Sequence, residues 1–257
     1  MSTQRYYNYY AYAGLMAKGA EYVMCMSAVI FLLNAFCQAV RNWCYWHYVL
    51  NLNTILLLLV NAALIIVSWL NFAARGNKLA GSIDNAFGTA LALVPPEPEY
   101  YDNNNIKASD LRFALNVYES CFFSEAILSK QTLRIIVKNL LIAVIFLTAI
   151  ILENSHVVMS LLGLFLVVHY LRKLFVFSVV KSSLTDICNM FQMILTSYKK
   201  GMPLDMPAIV LNLSNYETAM VWLGTVLSGK IYNQINAQLT KDWQAKQQSF
   251  LRTGDTQ

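Results

Sequence analysis

Apolar residues in this chain fall into long uninterrupted runs and into stripes at helical spacing. Residues 22–40, YVMCMSAVIFLLNAFCQAV, lie between Glu21 and Arg41 without a charge. Residues 42–74 contain no Lys, Arg, Asp or Glu, and their centre, TILLLLVNAALIIVSWL, starts at Thr54. Residues 135–152 carry only Lys138, near one end, where its ammonium can snorkel to an interface. Residues 154–171 are bounded by Glu153 and Arg172. A helix needs about 20 apolar residues to cross a bilayer. The pattern therefore predicts an all-α integral membrane protein with four transmembrane helices in two hairpins.

The stripes predict a second, helical layer. Leu79, Ile83, Ala86, Phe87 and Ala90 continue the second span as a helix. PPEPEYYDNNN at 95–105 ends it, and Ser109 and Asp110 can cap the next helix. That helix carries Leu111, Leu115, Tyr118, Phe122 and Leu128 on one face and leads into the third span. After the fourth span, Leu184, Ile187, Cys188, Phe191 and Leu195 stripe a helix over 174–200. GMPLDMP breaks the chain at 201–207, and a last helix is expected over about 215–248, with Tyr232, Ile235, Leu239 and Trp243 on one side. The expected units are an N-terminal helix (1–21), hairpin 1 (22–74), helices and a loop (75–134), hairpin 2 (135–171) and C-terminal helices (172–257).

Composition agrees with this division. The 257 residues are 57% hydrophobic and 13% charged, and mean hydropathy is +0.45. A soluble domain has about 45–50% apolar and about 25% charged residues, so disorder is excluded and a simple soluble globule is not expected. Of the nineteen Lys and Arg residues, only Arg41 falls at a predicted outer turn. Excess basic charge marks the cytoplasmic side, so both termini and the middle segment are expected there, in a multi-pass inner-membrane protein. Topology thus accounts for the net charge of +5 and leaves no basic, aromatic-interleaved patch that would indicate nucleic acid. The Tyr-rich N-terminus has no apolar core before residue 22 and is not expected to be a cleavable signal. RNWCYWHY in the first turn, with Trp43, Tyr45, Trp46 and Tyr48, suits an interfacial aromatic belt.

Candidate chemistry is sparse. Cys25, Cys37, Cys44, Cys121 and Cys188 form no CxxC pair and read as buried free thiols. His47, His156 and His169 are spread over both membrane edges, and no catalytic motif is present. No metal site, cofactor or enzyme activity is expected. The spans do carry amides: Asn34 and Gln38 in the first, and Asn53, Asn61 and Asn71 in or near the second. An amide in hydrocarbon needs a partner. These residues either bond between helices or form a polar seam that lines a pore or meets other protomers.

Three stretches carry a family resemblance: LAGSIDNAFGTAL (79–91), CFFSEAILSKQTLR (121–134) and SGKIYNQINAQLTKDW (228–243). With the spans, they resemble the bacterial S-4TM family of pore-forming effectors, which accompany nucleotide-second-messenger defence systems. Phe122 stands where that pattern has Gln, and Lys230 and Asn233 differ from it around Tyr232. The resemblance implies a homo-oligomeric effector that disrupts the lipid bilayer of an infected cell. It also implies a cyclic nucleotide ligand or a partner synthase. Arg112, Arg134, Lys181, Lys230 and Asn233 are the candidates for an anionic ligand on the cytoplasmic face. The alternatives are a constitutive oligomeric channel or transporter, and a non-conducting membrane scaffold.

Overall fold

The computed structural model describes residues 3–37, 40, 42–92, 103, 105–152, 157–224, 227–252 and 255. Among them the chain is all-helical, with six helices and no strand. These are α1 (Thr3–Phe36), α2 (Trp46–Phe87), α3 (Asp110–Leu152), α4 (Val157–Lys199), α5 (Met206–Leu223) and α6 (Gly229–Phe250). Gln38, Arg41, most of the 95–105 loop and the expected second outer turn at 153–156, with His156, lie outside the described residues.

Among the described residues three helices are long and apolar enough, by length and composition, to cross a membrane: α1 over Tyr12–Asn34, α2 over Trp46–Phe87 and α4 over Tyr170–Lys199, the last lying almost wholly beyond the expected fourth span at 154–171 and packing largely into the second core described below. The expected N-terminal helix and first span form one continuous helix, α1. At 1.5 Å per residue, the 42 residues of α2 and the 43 each of α3 and α4 extend about 63–65 Å. Each is about twice the hydrocarbon thickness of a bilayer.

The two halves of these long helices pack into different layers. In the apolar bundle, Met24 and Phe31 of α1, Leu57 and Val60 of α2, Ala143 of α3, and Val167 and Tyr170 of α4 share one core. Its outward face is apolar as well: Leu52, Ile55, Leu58, Leu59 and Ile65 of α2, and Leu140, Leu141, Val144 and Ile151 of α3, are exposed. Soluble monomers rarely expose contiguous apolar patches above a few hundred Å2, so this belt is suited to lipid contact. The other halves form a helical platform. There Ala86, Leu115, Tyr118, Leu128, Leu184, Phe191, Leu195, Ile209, Tyr216 and Trp243 share the largest core.

Local sequence explains the helix ends. Gly88 follows α2 with φ +68°, and its N–H returns to the Asp84 carbonyl. The Asp84 carboxylate then accepts bonds from Thr89 Oγ1, Leu91 N and Ala92 N, each 2.7 Å. Ser109 Oγ accepts from Arg112 N at 3.4 Å, as its place before α3 predicts. Asp205 caps α5 by accepting from Ala208 N.

The single helix expected over 215–248 is instead two. α5 begins earlier, behind its Asp205 cap, and stops at Gly224, whose φ of +60° is left-handed. Ser228 then opens α6 by accepting from Ile231 N. A glycine followed four residues later by a capping serine marks a helix stop and restart, and the apolar stripe alone concealed it.

Candidate functional site

Amides inside the apolar bundle form the first candidate site. Asn34, Asn53 and Asn71 are buried, so they face the interior of the protomer. Asn34 Oδ1 accepts from Trp46 Nε1 at 2.7 Å. Trp46 is therefore buried, while its neighbours Trp43, Tyr45 and Tyr48 are exposed and suit the interfacial belt. Asn71 Nδ2 donates to the Gly224 carbonyl at 3.4 Å and ties α2 to the end of α5. Asn61 is partly buried and spends its Nδ2 on its own helix, donating to Leu57 O at 2.7 Å. Gln38 lies outside the described residues.

Three polar groups in the bundle are left over. Asn53 Nδ2 on α2, Asn139 Nδ2 on α3 and Ser27 Oγ on α1 are buried with no hydrogen-bond partner among the described residues. An orphaned donor in hydrocarbon costs several kcal/mol. Asn139 and Ser27 escaped sequence reasoning. Asn139 sits beside Lys138, which draws attention as the only charge of that run, and a lone Ser in an apolar helix looks ordinary. Lys138 is not a lone snorkelling cation: its ammonium donates to Glu21 and joins α3 to α1.

The second candidate site is a polar knot in the platform. Asn103 Nδ2 donates to Asn116 Oδ1 at 2.8 Å and to Glu119 Oε2 at 2.7 Å. Asn103 Oδ1 accepts from Gln247 Nε2 at 2.6 Å. Asn116 Nδ2 reaches Asn85 Oδ1 at 2.9 Å, and Arg112 Nε reaches the same oxygen at 3.2 Å. One buried cluster thus joins Asn103 to α2, α3 and α6. Arg112, an expected ligand cation, is enlisted here, and burial lowers its pKa below the usual guanidinium value.

Aromatic packing reinforces the attachment of α6. Trp243 is fully buried, edge-on to Tyr118 at 5.4 Å and tilted against Phe122 at 5.9 Å. The Lys246 ammonium lies 5.3 Å from the Tyr118 ring centroid and 5.2 Å from that of Phe122. Beyond α6, Arg252 stacks on Tyr198 at 3.7 Å and donates to Met202 O at 2.8 Å, while Tyr198 OH donates to Asp255 at 2.9 Å. Arg252 and Asp255 are therefore clasped to the end of α4.

The remaining expected ligand residues lie at or near the surface. Arg134, Lys230 and Asn233 are exposed, and Lys181 is half-buried on α4. Gln131 Oε1 accepts from Ser228 N at 3.3 Å, which brings the start of α6 within one turn of Arg134. Between α2, α3 and α5 lies a crevice lined by Lys78, Ser82, Ser120, Tyr216 and Glu217. Its opening of about 10 Å3 admits one water, far below the roughly 300–1,000 Å3 of a small-molecule site. Arg75 pairs with Glu217 at its edge, 3.7 Å apart. Burial raises the Glu217 carboxyl above its ordinary pKa, with Arg75 and Lys78 opposing the shift. Among the described residues no cluster of three or more His, Cys, Asp or Glu could hold a metal.

Among the described residues, fold and sites together define a class: an all-helical protein with three helices long and apolar enough to cross a membrane, joined to a helical platform. Compared with known proteins, the chain matches no family model, no curated protein and no solved structure.

Proposed function

We propose that this chain is a homo-oligomeric, multi-pass membrane effector that conducts ions when its platform rearranges. In this reading four spans cross the inner membrane in two hairpins, both termini are cytoplasmic, and the platform is the cytoplasmic sensor. The observation that carries it is the set of orphaned donors, Ser27, Asn53 and Asn139, inside the apolar bundle. A static anchor or scaffold gains nothing from unpaired amides in hydrocarbon, whereas a conducting state satisfies them with water or with a neighbouring protomer. Coupling follows from continuity: α2, α3 and α4 each run unbroken from one core into the other, so a shift of the platform moves the bundle.

The trigger we propose is a nucleotide second messenger supplied by a partner synthase, as the family resemblance implies. The crevice between α2, α3 and α5 admits only one water, so nucleotide binding there is coupled to opening. Exposed Arg134 and Lys230, beside the Gln131–Ser228 contact, are positioned to attract phosphate as α6 lifts. The test is induced expression with and without the neighbouring operon and its trigger, followed by a membrane-potential dye. Depolarisation only with the trigger supports a gated effector. Depolarisation without it supports a constitutive channel, and an unchanged potential with the trigger present refutes conduction.

A further inference from the structure

Cys121 and Cys188 lie on different helices, 67 residues apart in sequence, yet their sulfurs are 3.1 Å apart. The other three cysteines are distributed differently: Cys25 and Cys37 are half-buried near or in α1, and Cys44 is exposed before α2. Cys121 is fully buried in the platform core on α3, where its Sγ also lies 3.6 Å from the Leu184 carbonyl. Cys188, one turn after Leu184 on α4, is only half-buried. We propose that Cys121 and Cys188 are a thiol pair that peroxide converts into a disulfide bridging α3 and α4.

The geometry assigns the roles. Peroxide reaches Cys188 first, because Cys121 has no exposed surface. Burial, and then the neighbouring Cys188, push the Cys121 thiol pKa up, which keeps it protonated and slow to attack first. The Cys188 thiolate attacks a peroxide oxygen, so an S–O bond forms and the O–O bond breaks. The departing hydroxide takes a proton and leaves as water, and Cys188 becomes a sulfenic acid, oxidised by two electrons. Cys121 Sγ then attacks Cys188 Sγ. The S–S bond forms, the S–O bond breaks, and the hydroxyl leaves as water with the Cys121 proton. Two thiols and one hydrogen peroxide thus give one disulfide and two waters. A disulfide holds its sulfurs about 2.05 Å apart, so the pair closes by about 1 Å, a movement that side-chain rotation and slight helix adjustment supply.

The test uses the full chain purified in detergent. Hydrogen peroxide is added, residual thiols are blocked with a maleimide, and peptides are mapped without reduction. The expected result is a fall from five free thiols to three and a linked peptide pair containing Cys121 and Cys188. That pair should lack two hydrogens and separate on treatment with dithiothreitol. Cys188→Ser should leave Cys121 as a free thiol under the same dose. Cys121→Ser should let a Cys188 sulfenic acid accumulate, trapped by dimedone. If Cys121→Ser fails to fold, the wild-type peptide map decides alone. The proposal is overturned if both thiols remain alkylatable while Cys44 oxidises. It is equally overturned if Cys188 links to another chain or passes to sulfinic acid without engaging Cys121.

Discussion

Replacing Asn103 with Ala removes the centre of the platform knot. Its side chain donates to Asn116 Oδ1 and Glu119 Oε2 and accepts from Gln247 Nε2, all at 2.6–2.8 Å. Asn103, Asn116, Glu119 and Gln247 are all buried. Each buried polar group deprived of a partner costs about 1–3 kcal/mol, with the upper end for a charged acceptor. Three such losses give an upper bound of about 9 kcal/mol. Glu119 and Gln247 keep other interactions, and water enters where the side chain was, so the expected loss is about 2–4 kcal/mol. Typical domain stability is about 5–15 kcal/mol, so the platform loosens without unfolding. Hydrogen exchange across α6 measures this directly. Amide protection in Gly229–Phe250 should fall about 30-fold to several hundred-fold, while protection in the α1–α2 pairing stays the same. Protection in α6 that falls less than about fivefold, under about 1 kcal/mol, refutes the view that this knot holds α6 down.

Three further outcomes follow from the same contacts. Trp243→Ala deletes a fully buried indole between Tyr118 and Phe122 and should cost about 3–5 kcal/mol, read as a lower thermal midpoint in detergent. Asn53→Leu with Asn139→Leu removes two orphaned donors; thermal stability should hold or rise, while trigger-dependent flux through liposomes falls at least about tenfold, or 1.4 kcal/mol. Glu217→Gln tests the platform crevice through pH. The raised Glu217 pKa means that the folded chain binds more protons than the unfolded chain between the ordinary and raised values. Stability is therefore lost as pH rises through that window, and the variant should show a flatter midpoint-against-pH curve.

Much of the architecture was legible because burial in lipid and burial in a core leave different marks. The charge-free runs at 22–40 and 42–74 read as helices that could cross a membrane, and α1 and α2 bear out that length and apolarity. The striped residues Leu115, Tyr118, Leu184, Phe191 and Trp243 read as a core and pack into one. The break between α5 and α6 was lost because Val221, Trp222 and Leu223 keep the region apolar right up to Gly224. The knot was illegible for a different reason. Asn103, Asn116 and Gln247 sit in three separate segments, and their meeting depends on packing between non-local helices. Arg112 was singled out for its charge, yet its side chain serves this internal network. The amide candidates were found by type, but periodicity shows only that residues share a side, not whether that side meets lipid, a pore or a neighbouring helix; burial puts Asn34, Asn53 and Asn71 inside the bundle.

In the proposed mechanism, lifting α6 opens a conducting path past the bundle amides. The most direct test is potassium flux from liposomes containing purified wild-type chain, Asn103→Ala, and Asn103→Ala combined with Asn53→Leu and Asn139→Leu. Wild type should stay closed without trigger, Asn103→Ala should leak, and the triple variant should fall back toward wild type. Liposomes that remain tight with Asn103→Ala, or that leak equally after both amides are removed, contradict it.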